Sequence, residues 1–227
     1  LESTLNRAAH IVASRRASAS VSKCDLLSDK LGGIEYYRFI KDLDDNFDSR
    51  CRSLQMKCIE MTHSVFRKSN MMVSSTGNDK IFFQLNTYLP RLGRHLFTNN
   101  YRKSSAKMIC VKNNEGFKDA SQIQYVARAG DYRALGFEHS GYLNILKVIL
   151  NYDYLWINVR VQGGAYGAMA SFKRNGMASF VSYRDPNLRE TNEVYERMGE
   201  YIRNFDASER DMTKFVIGAI SALDAPL

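Results

Sequence analysis

The segment WINVRVQGGAYGAMASFKRNGMASFVSYRDP, residues 156–186, decides the fold of the second half of this chain. Its first part predicts the end of a helix, with Arg160 near that end. Two glycines, Gly163 and Gly164, then interrupt the pattern, and Tyr166 opens a run of alternating apolar and polar side chains. A turn of this kind can present a cation and a phenol together from the edge of a sheet.

The run that begins near Tyr166 predicts a β-hairpin. Its two strands are expected at 165–173 and 177–184, and Arg174-Asn175-Gly176 joins them. Asn-Gly between two alternating runs is the strongest short signal for such a hairpin, because both residues tolerate the backbone of a tight turn.

Helices are predicted before the hairpin and around it. Residues 1–68 show only the helical spacing of apolar side chains, with a break at Gly32 and Gly33. Long returns separate the later elements, which favours an α+β fold with a mostly antiparallel sheet flanked by helices and preceded by a helical segment. In addition to the hairpin, we expect helices at 49–66, 79–96, 139–158, 188–204 and 208–223, and strands at 70–75, 106–111 and 121–130.

Several polar residues are candidates for helix N-caps. Ser28 precedes the second helical pattern, and Asp185 or Asn187 precedes the helix expected at 188–204. Ser208 with Asp211 has the form of a capping box, in which a side-chain oxygen accepts from a backbone N–H three residues later.

Composition restricts the class of protein. The chain has 227 residues, a hydrophobic content of 44% and a net charge of +8, which is typical of a globular protein with a full core. No apolar run approaches the roughly 18 to 20 residues that span a bilayer, so we expect no membrane partner. The excess of basic over acidic residues is concentrated in 69–185, yet the basic residues are scattered singly and match no RRM, KH or zinc-finger pattern. We therefore expect no nucleic-acid partner.

The sequence contains no metal-binding motif. Its four histidines are far apart and never form HxxxH, HxxEH or HExxH, and its four cysteines form no CxxC pair. The glycine cluster GGAYG also lacks the spacing of a phosphate-binding loop. We therefore predict that this chain holds no metal of its own.

Arg160 and Tyr166 are the remaining chemical candidates, and two interpretations stay open. An arginine offers a planar fork of donors to a carboxylate or a peptide carbonyl, and a tyrosine hydroxyl can donate to a developing oxyanion. Gly163 and Gly164 lack side chains, so a ligand backbone can pass close to the turn. In the other interpretation Arg160 pairs with a local carboxylate and Tyr166 is simply packed.

Two phrases carry a family resemblance. VRVQGGAYG at 159–167 and SYRDPNLRETNEVYERMGEYI at 182–202 resemble the C-terminal quarter of insulinase/pitrilysin-type (inverzincin) zinc metallopeptidases. ASRRASASVSKCDLLSDKLGGIEYYRFIKDLDDN at 13–46 and QIQYVARAGDY at 122–132 favour the presequence protease branch. The resemblance covers nearly the whole chain.

The resemblance implies an organisation in four homologous units that form two halves around a closed chamber. Residues 1–68 would be the helical tail of the third unit, and 69–227 would be the C-terminal, fourth unit, with a processing-peptidase-like fold. Zn²⁺ would be bound in the N-terminal half of the same polypeptide, by ligands outside this chain. The isolated chain is therefore expected to be inactive.

The resemblance also implies a role for the turn. Arg160 and Tyr166, with Gly163 and Gly164, would bind the backbone of an unstructured peptide substrate, and Tyr166 would assist catalysis at the oxyanion. It implies a cytoplasmic location in a bacterium, or a mitochondrial or plastid matrix location in a eukaryote. A non-catalytic structural or assembly homologue of the same superfamily is the alternative.

Overall fold

The structure is a computed structural model that describes residues 9–98, 107–118 and 122–224. The chain forms two compact units. The first takes in the residues up to Phe39 and those from Met108 onward, and the second runs over Ile40–Lys107. These units are defined by spatial contact, so the division into homologous units at residue 68 stays a prediction.

The first unit begins with helices α1 (Ala9–Ala19) and α2 (Lys23–Gly32), and α3 (Ile34–Asp45) starts within it. Ser22 caps α2, because its side chain accepts from the backbone N–H of Asp25 at 3.2 Å. The predicted cap Ser28 is wrong, since it lies inside α2 and the chain already turns helical after Ser22. The predicted break at Gly32 and Gly33 is confirmed, because Gly33 ends α2.

Three antiparallel strands form the sheet, in the order β1–β3–β2. They are β1 (Ala127–Asp131), β2 (Gly167–Phe172) and β3 (Met177–Tyr183). The Asn-Gly hairpin is confirmed: Gly176 has a φ of +99°, and its N–H donates to the Lys173 carbonyl at 3.0 Å. Helix α1 packs against β1 and β3. Helices and an antiparallel sheet confirm the predicted α+β class.

Three strand predictions need correction. Residues 70–75 form no strand, and neither do residues 107–111, while residue 106 lies outside the described residues. The strand predicted at 121–130 is ordered as a strand only from Ala127, although Gln124 forms a single bridge to Asp185. Residue 121 lies outside the described residues. A strand requires a neighbour for its N–H and C=O groups, and an alternating sequence does not supply one.

The long helix predicted at 139–158 consists of two parts. Helix α6 (Tyr142–Ile149) continues directly into a π-helix (Leu150–Gln162). The π-helix packs against β2, and the Asn151 side chain accepts from the Ala170 N–H at 2.7 Å. The hydrophobic core includes four residues of this segment, three that lie in or beside the sheet, and three of the helix after the hairpin: Leu150, Tyr154, Leu155, Val159, Val126, Ala165, Ala170, Val194, Tyr195 and Met198.

Two helices follow the hairpin. They are α7 (Arg189–Arg203) and α8 (Glu209–Leu223). Ser208 caps α8 by accepting from the Asp211 N–H at 3.2 Å, as predicted. The caps predicted for α7 are wrong, because Leu188 occupies the N-cap position and no side chain caps this helix.

The second unit contains α4 (Phe47–Val65), a 3-10 turn (Lys68–Asn70) and α5 (Asp79–Arg94). Asn78 caps α5 by accepting from the Ile81 N–H at 3.2 Å. Among the residues that the structure describes, no helix is both long and apolar enough to pass through a membrane.

Candidate functional site

The π-helix presents Arg160 at the surface. Leu155 and Val159 are completely buried in the core and fix the last turns of this helix. In a π-helix the hydrogen bonds run from residue i to i+5, so residues four apart lie on the same side. Trp156 and Arg160 have this spacing, and the guanidinium carbon lies 4.1 Å from the centroid of the indole ring.

The double glycine ends the π-helix in a tight turn. A Cβ on Gly163 would lie 2.6 Å from the Val159 carbonyl oxygen, which is shorter than any normal contact. Gly164 has a φ of +79°, and its N–H donates to the Arg160 carbonyl at 2.9 Å. Both glycines are therefore required by the turn itself.

Tyr166 stands at the start of the hairpin, with its side chain toward solvent. Its N–H donates to the carbonyls of Tyr183 at 3.0 Å and Arg184 at 3.3 Å. The side chain is 64% exposed, and its ring lies 5.8 Å from the Tyr183 ring. The guanidinium of Arg160 is 5.4 Å from the Tyr166 ring. The structure thus brings the two predicted residues together.

Arg160 forms no ion pair with any carboxylate in the described part of the chain. Tyr166 is mostly exposed, and its hydroxyl makes no hydrogen bond to the residues that the structure describes. These contacts do not support the interpretation in which Arg160 is locally paired and Tyr166 is packed. Stacking on aromatic rings leaves the in-plane N–H groups of a guanidinium available to an acceptor.

The SYRDPN segment braces this turn, a role that the sequence did not indicate. Asp185 is fully buried, and its carboxylate accepts from the Asn187 N–H at 2.9 Å and the Thr191 hydroxyl at 2.7 Å. Asn187 then donates from its side chain to the Gly163 carbonyl at 2.5 Å. A Cβ on Gly164 would meet the Pro186 ring at 3.6 Å. In the sequence, the GGAYG turn and the SYRDPN segment are both unusual motifs, but nothing there indicates that they contact each other.

An aromatic cluster continues from Tyr166 along the surface. The Tyr183 ring lies 4.8 Å from the His10 ring and 5.7 Å from the Tyr125 ring. Arg184 places its guanidinium 5.7 Å from the Tyr183 ring. Burial lowers the pKa of His10, because a buried site disfavours the charged imidazolium.

The described residues do not fit a zinc site. In the ranges 9–98, 107–118 and 122–224, no three His, Cys, Asp or Glu residues are placed to hold a metal ion. Among the residues that the structure describes, the Arg160 guanidinium and the Tyr166 phenol are two neighbouring donor groups without an acceptor.

Comparisons with known proteins indicate the family of this chain. The family model described as the PreP C-terminal domain matches residues 114–227. The chain is 34% identical to protein HypA of Clostridium perfringens over 227 residues, which is 100% of this chain and 23% of that protein. It is 27% identical to presequence protease 1, chloroplastic/mitochondrial, of Arabidopsis thaliana over 243 residues, or 99% of this chain and 21% of that protein.

A third relative is the mitochondrial presequence protease of Yarrowia lipolytica, which is 25% identical over 233 residues, covering 100% of this chain and 23% of that protein. The chain spans less than a quarter of the length of these relatives. With a family model that matches half of it and relatives aligned along its whole length, this chain belongs to the PreP C-terminal domain family of presequence protease-like peptidases.

Proposed function

We propose that this chain is the substrate-holding C-terminal part of a zinc metalloendopeptidase that degrades unstructured peptides in a closed chamber. The observation that carries the proposal is Arg160, which lies 4.1 Å from Trp156 and 5.4 Å from Tyr166 and has no carboxylate partner among the described residues. A structural arginine satisfies its donors within the fold, whereas this one keeps them for a ligand.

Each residue of the turn has a proposed task. Arg160 donates to backbone carbonyls of an extended peptide and so fixes its position. Tyr166 donates its O–H to the carbonyl oxygen that gains negative charge as the peptide bond is attacked. Gly163, Gly164 and the Asn187 side chain hold the two donors in a fixed relation.

The metal belongs to another part of the proposed enzyme. The chemistry that a bound zinc ion supplies is activation of the attacking water, and its ligands lie in the N-terminal half of the same polypeptide. That half is the proposed partner of this chain. We propose 1–68 as the tail of the third homologous unit and 69–227 as the fourth, and we expect the isolated chain to be inactive.

The proposed location follows the source of the chain. Relatives from Arabidopsis thaliana and Yarrowia lipolytica are described as chloroplastic/mitochondrial and mitochondrial. An organellar member would act in the matrix, and a bacterial member in the cytoplasm.

Tyr166→Phe in the intact polypeptide tests the proposal. Loss of one oxyanion donor costs about 3 kcal/mol in a dry site, so kcat/KM for an unstructured peptide should fall about a hundredfold. Tyr142→Phe is the matched control, because Tyr142 is 80% exposed at the start of α6 and should leave kcat/KM unchanged.

A kcat/KM within about twofold of the unmodified enzyme, a change below roughly 0.4 kcal/mol, would show that Tyr166 has no catalytic role. Metal-dependent cleavage by the isolated chain would contradict the division of labour between the two halves. An intact polypeptide with no peptidase activity would favour the alternative, a structural or assembly homologue.

A further inference from the structure

We propose that Arg184 is a second substrate-binding residue, which determines specificity by binding a carboxylate group of the peptide. This inference rests on the proposed peptidase function and deepens it. It assigns a preferred class of substrate, namely peptides that carry an acidic side chain or a free C-terminal carboxylate near the cleavage site.

The backbone at Arg184 gives the first indication. Among the described residues, Arg184 is the single non-glycine residue with a positive φ, at +50°. This left-handed region suits glycine, because a Cβ is crowded there. Backbone strain of this kind is concentrated at functional sites, where the surrounding structure imposes it.

The surroundings of Arg184 do impose its conformation. On one side its carbonyl accepts from the Tyr166 N–H at 3.3 Å. On the other side Asp185 and Gln124 exchange two backbone hydrogen bonds, both of 2.9 Å. A glycine would adopt the same turn without crowding, so the local structure does not explain why an arginine stands here.

Within the fold the Arg184 guanidinium has a ring contact, with Tyr183 at 5.7 Å, and this contact leaves its N–H donors without an acceptor. It is exposed, and in the described part of the chain it makes no ion pair or hydrogen bond. The neighbouring carboxylate of Asp185 is buried and already accepts from Asn187 and Thr191. Some arginines of the same unit do have carboxylate partners, as Arg128 has in Glu196 at 3.2 Å.

A row of three successive side-chain contacts links Arg160 to Arg184. Arg160 lies 5.4 Å from the Tyr166 ring, the Tyr166 and Tyr183 rings lie 5.8 Å apart, and Arg184 lies 5.7 Å from the Tyr183 ring. An extended peptide advances about 3.3 Å per residue. Each contact of the row therefore matches the rise of about one to two residues of such a peptide.

A carboxylate is the group that this row would bind best. The planar fork of a guanidinium matches the two oxygens of a carboxylate, and charge-assisted pairs are stronger than bonds to a neutral carbonyl. Two arginines without carboxylate partners among the described residues, with tyrosine rings between them, form a positive strip. Arg160, beside the oxyanion donor Tyr166, would take the backbone, which leaves Arg184 for the carboxylate.

The test uses the intact polypeptide and four synthetic peptides of one unstructured sequence. Two of them differ as Glu against Gln at one position, and two differ as free acid against amide at the C-terminus. In the unmodified enzyme the acidic member of at least one pair should have the lower KM.

In the Arg184→Gly variant that preference should disappear, with KM for the favoured acidic peptide raised about tenfold, as for the loss of one charge-assisted hydrogen bond. The kcat should change little. Loss of preference within the Glu/Gln pair assigns the carboxylate to a side chain, and loss within the acid/amide pair assigns it to the C-terminus.

Two further variants control for charge and for folding. Arg174→Gly removes the same charge from the opposite, exposed end of the hairpin and should keep the preference. Arg184→Lys keeps the positive charge but loses the planar guanidinium, so it should keep only part of the preference for the acidic peptide. Hydrogen exchange of the β3 amides should be as slow in Arg184→Gly as in the parent, because glycine suits the positive φ.

Three results would overturn the inference: equal kcat/KM of the parent for all four peptides, equal effects of Arg184→Gly on all four, or equal effects of Arg174→Gly and Arg184→Gly. Tyr166→Phe, measured in parallel, separates the two proposals. If it lowers kcat/KM while Arg184→Gly leaves the preference intact, only the role of Arg184 fails. If it changes nothing, the proposed function fails.

Discussion

Arg16 and Arg160 lie in the same compact unit but have opposite surroundings. Arg16 donates to Asp29 at 2.8 Å and to both oxygens of Glu115, at 2.5 and 2.8 Å. Arg160 meets the rings of Trp156 and Tyr166 and no carboxylate among the described residues. One guanidinium ties together segments far apart in sequence, while the other keeps its donors unused.

Arg16 is satisfied within the fold, whereas Arg160 has donors that the proposed function assigns to substrate. Hydrogen bonding to Glu115 raises the pKa of Arg16, and the same contact lowers the pKa of Glu115. Charge pairing of this kind stabilises a fold only while both partners are present. Removing Arg16 should therefore cost stability, and removing Arg160 should cost activity.

The largest effect on stability is expected for Arg16→Ala. Asp29 is fully buried, and one of its carboxylate oxygens already lacks a hydrogen bond, so loss of Arg16 leaves a buried charge unpaired. We expect the free energy of local unfolding of α1 and α2 to fall by about 3 to 5 kcal/mol. Native-state hydrogen exchange of the intact polypeptide measures this quantity.

The double variant Arg16→Ala/Asp29→Asn is the control for that measurement. It removes both charges and should recover part of the loss. A loss below about 1 kcal/mol in Arg16→Ala alone would mean that Arg16 is not the partner on which Asp29 depends.

Asn187→Ala should have the next largest effect, because the turn beneath Arg160 depends on the Asn187 amide. This change leaves the Gly163 carbonyl without its donor, at a cost of about 1 to 2 kcal/mol in turn stability. Under the proposed function kcat should fall as Tyr166 loses its fixed position. Activity assays compare it with Asn192→Ala, which alters an exposed residue of α7. Equal activities of the Asn187→Ala and Asn192→Ala variants would show that the Asn187 hydrogen bond does not affect the proposed site.

Arg160→Ala sharpens the contrast with Arg16→Ala directly. Its stacking on exposed rings is worth about 0.5 to 1 kcal/mol, and no partner is left as an unpaired charge. We expect the same hydrogen-exchange experiment to show a stability loss no larger than this in the π-helix. A loss similar to that of Arg16→Ala would show that Arg160 is also structural.

The smallest effect is expected on the stability of the fold at acidic pH, through Glu115. The pKa of Glu115 is lower in the folded state than its ordinary value of 4.5, so its contribution to stability is present above that value. It is lost as the pH falls from 4.5 through the lowered pKa. We expect less than about 1 kcal/mol, since Glu115 is partly exposed. Glu115→Gln should remove this part of the pH dependence of unfolding, and an unchanged pH profile would contradict it.

Local signals in the sequence predicted the hairpin and the turn before it well. The conformations that these signals predict are set by residues next to each other in the chain: the Asn-Gly dipeptide, the double glycine and the helical spacing before Arg160. In the structure the Arg160 guanidinium lies 5.4 Å from the Tyr166 ring. The strands predicted at 70–75 and 106–111 failed for the opposite reason. Their formation depends on a pairing partner, which an alternating pattern does not reveal.

The support that Asp185 and Asn187 give to the turn could not be predicted from the sequence. Polar residues just before a helix have the same pattern as N-caps. Asp185 and Asn187 fit that pattern, yet their hydrogen bonds go to Thr191 and back to Gly163, a residue 24 positions away. The π-helix could not be predicted either, because apolar spacing does not separate i+4 from i+5 hydrogen bonding over a short segment.

The backbone hydrogen bonds of the turn at 164–166 bear on whether the proposed enzyme would cleave itself. A peptidase that cuts unstructured chains meets its own loops at high local concentration, and cleavage requires a segment that can be drawn out as a strand. Gly164, Ala165 and Tyr166 spend three successive N–H groups on intrachain acceptors, at 2.9, 3.1 and 3.0 Å. Under the proposed function, these hydrogen bonds would make the turn a poor substrate for the enzyme itself.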